Sequence, residues 1–271
     1  MAIRHVSIGK EFPLYVDNED AWRVDTAAQL WAVADGAGGT GLYAGEWAQF
    51  LVEQVPAQPF REVAEVAQWL TDQWGRFFDE FQAQAGANYL TELKFLNEGS
   101  GATLATLHQQ GSLLHWSVYG DALVLSFNPA TGQLLASNPA LSQFTEAPYL
   151  LNWLLPCSAE GFRRGTWIKE PGQQIVLCSD TLGQYLLMGY KALQGDQDEL
   201  AIVSQLPTGL GTRAVTHQAF WQAEAGNFNE QVWQPLWQAL ASTDTFLQHT
   251  QYLRSAQLLG GDDYTCILIE F

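Results

Sequence analysis

The 271-residue chain carries 29 acidic against 12 basic residues, a formal charge of −17, with 47% hydrophobic and 15% charged residues. That composition supplies a buried core and excludes a disordered chain, and the few scattered lysines and arginines exclude a surface built to neutralise nucleic-acid phosphates or anionic lipid. No run approaches the ~20 apolar residues of a membrane span and Met1–Phe12 lacks the apolar stretch of a secretory leader, so a cytoplasmic protein with reduced Cys157, Cys178 and Cys266 is expected.

In chain order, Ala21–Val24 and Leu30–Ala34 read as a strand hairpin joined through Asp25–Gln29. A glycine cluster follows at 36–41. Ala44, Trp47, Ala48, Leu51, Val52 and Val55 then fall on one helical face, and Pro56 stops that helix. A second helix after Pro59 carries the stripe Val63, Val66, Leu70, Trp74, Phe77 and Phe81. Ala102–Leu107, Leu113–Tyr119 and Ala122–Phe127 read as an antiparallel meander punctuated by Gln109-Gln110-Gly111 and Gly120-Asp121. Residues 128–165, with Pro129, Pro139, Pro148 and Pro156, read as irregular. Ile175–Cys178 is a buried strand, 182–190 a helix, 194–258 a helical block rich in Gln and Trp, and Tyr264–Phe271 a closing strand. Both chain ends supply strands and no repeat or linker interrupts 1–271. This predicts a single α+β unit with helices packed on antiparallel sheet.

Carboxylates mark the strand edges. They are Glu19 and Asp20 in Asp17-Asn18-Glu19-Asp20, Asp35 before the glycine cluster, Asp121 between two strands, Asp180 after Cys178-Ser179, and Asp262 and Asp263 before the last strand. Each alone also reads as a turn residue or helix N-cap. Gathered at one spot they would repel unless protons or cations intervened, and an all-oxygen donor set selects hard ions, Mg²⁺ or Mn²⁺.

In this order the motifs resemble the metal-dependent protein serine/threonine phosphatases of type 2C, in their bacterial form, from Asn18 to Thr265. Asn18-Glu19-Asp20 is similar to the family's Asn-Glu-Asp, and Asp35-Gly36-Ala37-Gly38-Gly39 to its Asp-Gly-x-Gly-Gly. Gly45-Glu46 resembles the Gly-Glu that opens its first helix, and Gly99-Ser100-Gly101-Ala102-Thr103 its next strand start. Gly120-Asp121-Ala122-Leu123, Cys178-Ser179-Asp180-Thr181-Leu182 and Asp262-Asp263-Tyr264-Thr265 resemble its Gly-Asp-Ser-Arg, Ser-Ser-Asp-Gly-Leu and Asp-Asn-x-Thr.

The resemblance implies an α-β-β-α sandwich of two antiparallel sheets flanked by helices, with a variable flap at about 128–168. It implies a phosphatase that hydrolyses phosphoserine or phosphothreonine through a hydroxide bridging two divalent cations, Mn²⁺ or Mg²⁺. Asp35 would bridge both cations and Gly36 would offer a carbonyl. Asp180 and Asp262 would hold the first cation and Glu19 the second. Asp20, working through water, and Asp263 would stand behind them, and Asp121 would serve a third, weaker ion. Asp35, Asp180 and Asp262 would thus act through the metal-bound water, with no organic cofactor. The implied partner is a phosphorylated protein, the target of a serine/threonine kinase, with no nucleic acid and no membrane.

The departures support a second reading. Tyr15 stands where the family carries a phosphate-gripping Arg, Leu123 and Thr181 replace its Arg and Gly, and Ala37 replaces a His found in some members. Arg23, Arg163, Arg164 or Lys169 are the available substitutes for the clamp. The alternative is therefore a pseudophosphatase that binds a phosphoprotein or kinase without efficient turnover; a purely structural acidic domain is a third reading. The five dispersed histidines form no ligand pair. Ser100, Ser158 and Ser179 lack a nucleophile elbow, and no Gly-Lys-Ser/Thr follows Gly36–Gly41. Trp69 and Trp74 read as helix packing, and Trp221, Trp233 and Trp237 as core or as a partner-facing patch.

Overall fold

The apolar runs pair into two antiparallel sheets in a computed structural model that describes residues 1–194, 197–223 and 226–271, apart from the side chain of Thr40. The first half of the chain runs β1 (Ala2–Ile8), β2 (Asp20–Asp25), β3 (Leu30–Gly41), α1 (Ala44–Gln54), α2 (Val63–Ala85), α3 (Tyr89–Glu98), β4 (Ser100–Ala102), β5 (Leu104–Gln110), β6 (Leu113–Tyr119) and β7 (Leu123–Asn128). Then follow β8 (Gln133–Ala136), β9 (Phe162–Ile168), β10 (Gln174–Cys178), α4 (Asp180–Leu193), α5 (Gln197–Val203), α6 (Gly209–Ala223), α7 (Gln234–Ala239), α8 (Thr243–Ser255) and β11 (Tyr264–Glu270). One sheet has the order β1-β11-β10-β7-β8. The other has the order β2-β3-β5-β6-β9, with β4 paired to β3.

Strand periodicity explains the layering. Successive side chains point to opposite faces, so a strand buried on both sides reads as an unbroken apolar run. Ile175, Leu177, Ile267 and Ile269 meet Trp31, Val33, Leu107 and Val118 between the sheets. The alternate residues Val176, Cys178, Cys266 and Leu268 pack outward under the second helical block, with Leu182, Phe228, Trp233 and Phe246. Leu30, Ala32 and Ala34 pack outward the other way, against Trp47, Leu51, Leu70 and Phe77 of α1 and α2. The result is the α-β-β-α sandwich.

Several sequence expectations change in detail. The run Ala102–Leu107 is divided, because Thr103 turns its N–H to the Asp35 carbonyl at 2.9 Å and separates β4 from β5. The glycine cluster lengthens the strand read at Leu30–Ala34: β3 continues to Gly41, pairing Gly36 with Ala102 and Gly41 with Ser100. Helix α3 has no counterpart in the sequence reading. Phe95 is its one buried residue, so it has no apolar stripe to read. The segment 128–165, expected to be irregular, contains β8, paired to β7, and the start of β9, paired to β6; the rest holds two 3-10 turns. The helical block at 194–258 holds α5 to α8, with residues 195–196 and 224–225 outside the described ones. Trp221 and Trp233 are buried core, and Trp237 packs on it with the Arg4 guanidinium 4.3 Å above its ring. All three cysteines are free thiols.

Candidate metal centre

The two sheets deliver their carboxylates to one end of the sandwich. In the β2–β3 hairpin Asp20 is the cross-strand partner of Asp35. Beyond Asp35 the Gly36 N–H donates to the Glu19 carbonyl at 3.0 Å, and a Cβ on Gly36 would come within 2.5 Å of that oxygen and 2.6 Å of the Ala44 carbonyl. Only glycine allows this approach. In the facing sheet the pair Cys178–Cys266 aligns the end of β10 with the start of β11, so Asp180 and Asp262 emerge together. Ser179 and Thr265 lock this junction, with Ser179 N–H donating to the Thr265 carbonyl at 3.2 Å and Thr265 N–H to Ser179 Oγ at 3.1 Å. Asp121 sits where the chain passes from β6 in one sheet to β7 in the other.

A cleft of about 310 Å³ at this end is lined by Glu19, Asp35, Gly36, Asp121, Asp180 and Asp262, together with Lys10, Thr103 and Gly38. These include every residue expected to touch a cation. Asp20 and Asp263 lie behind the cleft wall. Asp263 accepts the Lys10 N–H on Oδ1 at 2.7 Å and the Glu19 N–H on Oδ2 at 2.6 Å, and so ties two segments of the rim together. Asn18 supports the same corner, with Nδ2 donating to Ser7 Oγ at 2.6 Å and Oδ1 accepting the Asp20 N–H at 2.9 Å.

The charge in this cleft is poorly compensated. Burial, reinforced by Asp263, pushes the Asp20 carboxyl up to about 8, outweighing the hydroxyls of Ser179 and Thr265. Both of its oxygens are buried without a hydrogen bond of good geometry. Burial and the charges of Asp20, Asp180, Asp121 and Asp262 hold Asp35 well above the ordinary carboxylate range. Burial and Asp180 push Asp121 up to about 7. Asp180 is raised by burial and Asp262, and Glu19 by burial, with Lys10 as its counter-charge. Thr103 Oγ1, on the cleft wall, is likewise buried without a partner.

Among the described residues no three His, Cys, Asp or Glu side chains close around a single point. The carboxylates line one shared cleft without closing on a single point of it. Their all-oxygen chemistry, the Gly36 carbonyl and the orphaned Asp20 and Thr103 oxygens fit a hard divalent cation.

Three features of the site escape sequence reading. Thr181 Oγ1 donates to Asp180 Oδ1 at 3.0 Å, an interaction that glycine at this position would lack. Gln184 Nε2 donates to Asp180 Oδ2 at 2.9 Å, and Arg213 in turn donates to Gln184 Oε1 at 2.5 Å. The i,i+4 spacing of Asp180 and Gln184 on a helix is visible in sequence; Arg213 is brought in only by the packing of α6 on α4. Lys10 is the third, and nothing in its sequence context marks it.

The substitutes considered for the phosphate clamp lie elsewhere. Arg23 is bound to the Glu53 and Val55 carbonyls and to Asp25, Arg163 and Arg164 belong to β9, and Lys169 stacks 4.8 Å from the Phe271 ring. Beside the cleft, sharing Lys10 and Glu19 with it, opens a larger groove of about 930 Å³. Its walls combine Glu11, Asp17, Glu46, Glu53 and Glu80 with Tyr15, Tyr43, Phe50 and Phe81.

The chain matches no described protein-family pattern and no curated protein. It does match solved structures along its whole length. Two single-substitution variants of a bacterial serine phosphatase superpose with TM-scores of 0.50, at 16% and 14% identity, covering 100% of this chain and 98% and 97% of theirs. The catalytic domain of the serine/threonine phosphatase PstP, described in complex with two manganese ions, gives 16% identity and a TM-score of 0.46 over 98% of this chain and 96% of its own. The likeness is one of fold: the chain has the architecture of the bacterial type 2C serine/threonine phosphatases. Among the described residues no helix is long and apolar enough to cross a membrane.

Proposed function

We propose that the chain is a metal-dependent phosphatase acting on phosphoserine or phosphothreonine in cytoplasmic proteins modified by a serine/threonine kinase. The observation that carries this reading is the convergence of Glu19, Asp35, Asp121, Asp180 and Asp262, from both sheets, on one cleft with uncompensated negative charge. A phosphate dianion is repelled by such walls until cations invert their sign. Asp35 and the Gly36 carbonyl would hold a pair of divalent cations, Mn²⁺ or Mg²⁺, with Asp180 and Asp262 on one and Glu19 on the other. Asp121 and Asp180 would serve a third, weaker ion. The chemistry such ions supply when bound is a water acidified toward neutral pKa and charge neutralisation on the phosphoryl oxygens.

The chain's own residues do the rest. Thr181 and Gln184 orient the Asp180 carboxylate, Asp263 fixes Glu19 through its backbone, and Asp20 is placed to hold a proton or order a water behind the ligands. The acidic, aromatic groove beside the cleft suits a phosphorylated segment with basic flanking residues. The inter-sheet core, built by residues from β3 to β11, supports reading 1–271 as one domain.

The pseudophosphatase reading draws on one observation: both Asp180 oxygens already accept hydrogen bonds, which compete with a cation for their lone pairs. Phosphate release from a phosphothreonine peptide separates the two. Metal-stripped protein titrated with Mn²⁺ or Mg²⁺ should gain turnover, and Asp35→Ala and Asp180→Ala should lose it. Tight Mn²⁺ binding without turnover would favour the pseudophosphatase, and neither binding nor turnover would leave the carboxylates a structural role.

A further inference from the structure

Lys10 is the one basic side chain, among the described residues, lining either the carboxylate cleft or the groove beside it. From its position and chemistry we infer that Lys10 grips the phosphate group of the substrate, an assignment that rests on the phosphatase reading above. The residue follows β1, and its backbone is held at both ends. Its N–H donates to Asp263 Oδ1 at 2.7 Å, and its carbonyl accepts from Arg254 Nη1 at 3.1 Å. Because the other Asp263 oxygen binds the Glu19 N–H, one carboxylate sets Lys10 and Glu19 in a fixed relation on the rim.

The side chain, by contrast, is held among the described residues only by a long ion pair with Glu19. Its Nζ lies 3.8 Å from Glu19 Oε2, beyond hydrogen-bond length, and it is 48% exposed. Among the described residues no hydrogen bond engages its three N–H donors, so they can turn to an incoming anion, with Glu19 as the competing partner. A phosphomonoester entering this cleft passes walls of one sign, and a cation at the mouth offsets that repulsion as it arrives. An ammonium offers a compact charge that tolerates several approach angles, whereas a guanidinium imposes a two-point geometry. Among the described residues no other basic group lines the cleft or the groove. Arg213 is bound to Gln184 and Arg254 holds the Lys10 backbone, and neither lines the cleft. Tyr15, which stands at the family's clamp position, is 61% exposed on the groove.

Lys10→Ala, Lys10→Arg and wild type, loaded with Mn²⁺, distinguish this role from simple neutralisation of Glu19. The readouts are calorimetric binding of inorganic phosphate, calorimetric Mn²⁺ affinity, thermal melting, and kcat and KM on a phosphothreonine peptide. Lys10→Ala should weaken phosphate binding and raise KM by about tenfold, the worth of one charge-assisted contact, with kcat changed by less than about threefold. Lys10→Arg should restore most of the loss, and Mn²⁺ affinity and melting temperature should hold. Phosphate affinity of Lys10→Ala within about twofold of wild type would overturn the assignment. So would a change in Mn²⁺ affinity that accounts for the phosphate effect, since Lys10 would then act through Glu19. Absence of turnover in the wild type would defeat the phosphatase reading alone. The phosphate titration would still decide the role of Lys10, and a wild type that binds no phosphate would refute it.

Discussion

Replacing Asp20 with asparagine measures the energetic weight of the uncompensated acids. Asp20 is buried opposite Asp35, and its carboxyl is pushed from an ordinary 3.8 up to about 8. Folding at any pH between those values takes up a proton. Because the folded pKa lies above the unfolded one, this contribution to stability is complete below the unfolded value and is lost as pH rises toward the folded one. The loss runs at ~1.4 kcal/mol per pH unit, about 2 kcal/mol between roughly pH 6.5 and 8. Asparagine keeps the shape and removes the charge; it also relieves Asp35 of the Asp20 charge, which adds to the effect, while the raised carboxyl of Asp121 stays as a common background. Urea unfolding of metal-free protein, extrapolated linearly at several pH values in that window, reads the difference. The variant should be the more stable, and its lead should widen by about 2 kcal/mol across the window. Saturating Mn²⁺ should narrow the lead, because ligand binding stabilises the native state and neutralises the acids the wild type leaves charged. A lead that stays constant from pH 6.5 to 8, or a variant less stable than wild type at the upper end, would refute the reasoning.

Burial holds His217 down at about 4, with Nε2 donating to the Leu258 carbonyl at 2.8 Å and Nδ1 accepting from Trp221 Nε1 at 3.1 Å, so its protonation must break the Trp221 bond. Its folded pKa lies below the unfolded 6.5, so stability present above that value should fall by about 3 kcal/mol on acidification to its folded pKa, and His217→Gln should flatten the decline in urea midpoint. A Cβ at Gly38 would collide with the Glu19 carboxylate, whereas one at Gly39 would meet nothing within 4 Å. Gly38→Ala should therefore lower calorimetric Mn²⁺ affinity by on the order of tenfold while Gly39→Ala leaves it unchanged, and equal effects would contradict the role assigned to Glu19. Ile267 is fully buried between the sheets, and Ile267→Ala should cost about 2–5 kcal/mol in denaturant unfolding. A loss below about 1 kcal/mol would mean the inter-sheet core is loosely packed.

The site was legible in sequence wherever local signals coincide. An apolar run that closes on an acid marks a strand delivering a carboxylate: Asp35 follows Leu30–Ala34 directly and precedes the glycines, and Asp180 stands two residues beyond Cys178, the end of β10. The hairpin, α1 and α2 with the packing of Trp69 and Trp74, and the closing strand were equally readable, because each depends on a periodicity contained in a short window, whereas the choice between core and surface for Trp221 and Trp233 was made by the fold. Helix α3 was not, since a single buried residue makes no pattern. The continuation of β3 through its glycines was hidden too, because it depends on pairing with Ser100 and Ala102 some sixty residues away.

The sequence by itself determined which residue types stand at the strand ends, and with them the all-oxygen chemistry of the cleft. Only the tertiary structure decided what surrounds them. Lys10 reaches the cleft because Asp263, more than 250 residues later in the chain, holds its backbone, and Arg213 reaches Asp180 only through Gln184 across a helix pair. Local patterning fixes which way a side chain points from its own element. Which charges meet depends on how the two sheets close on each other, and that is set by burial of the whole inter-sheet core, distributed along the entire chain.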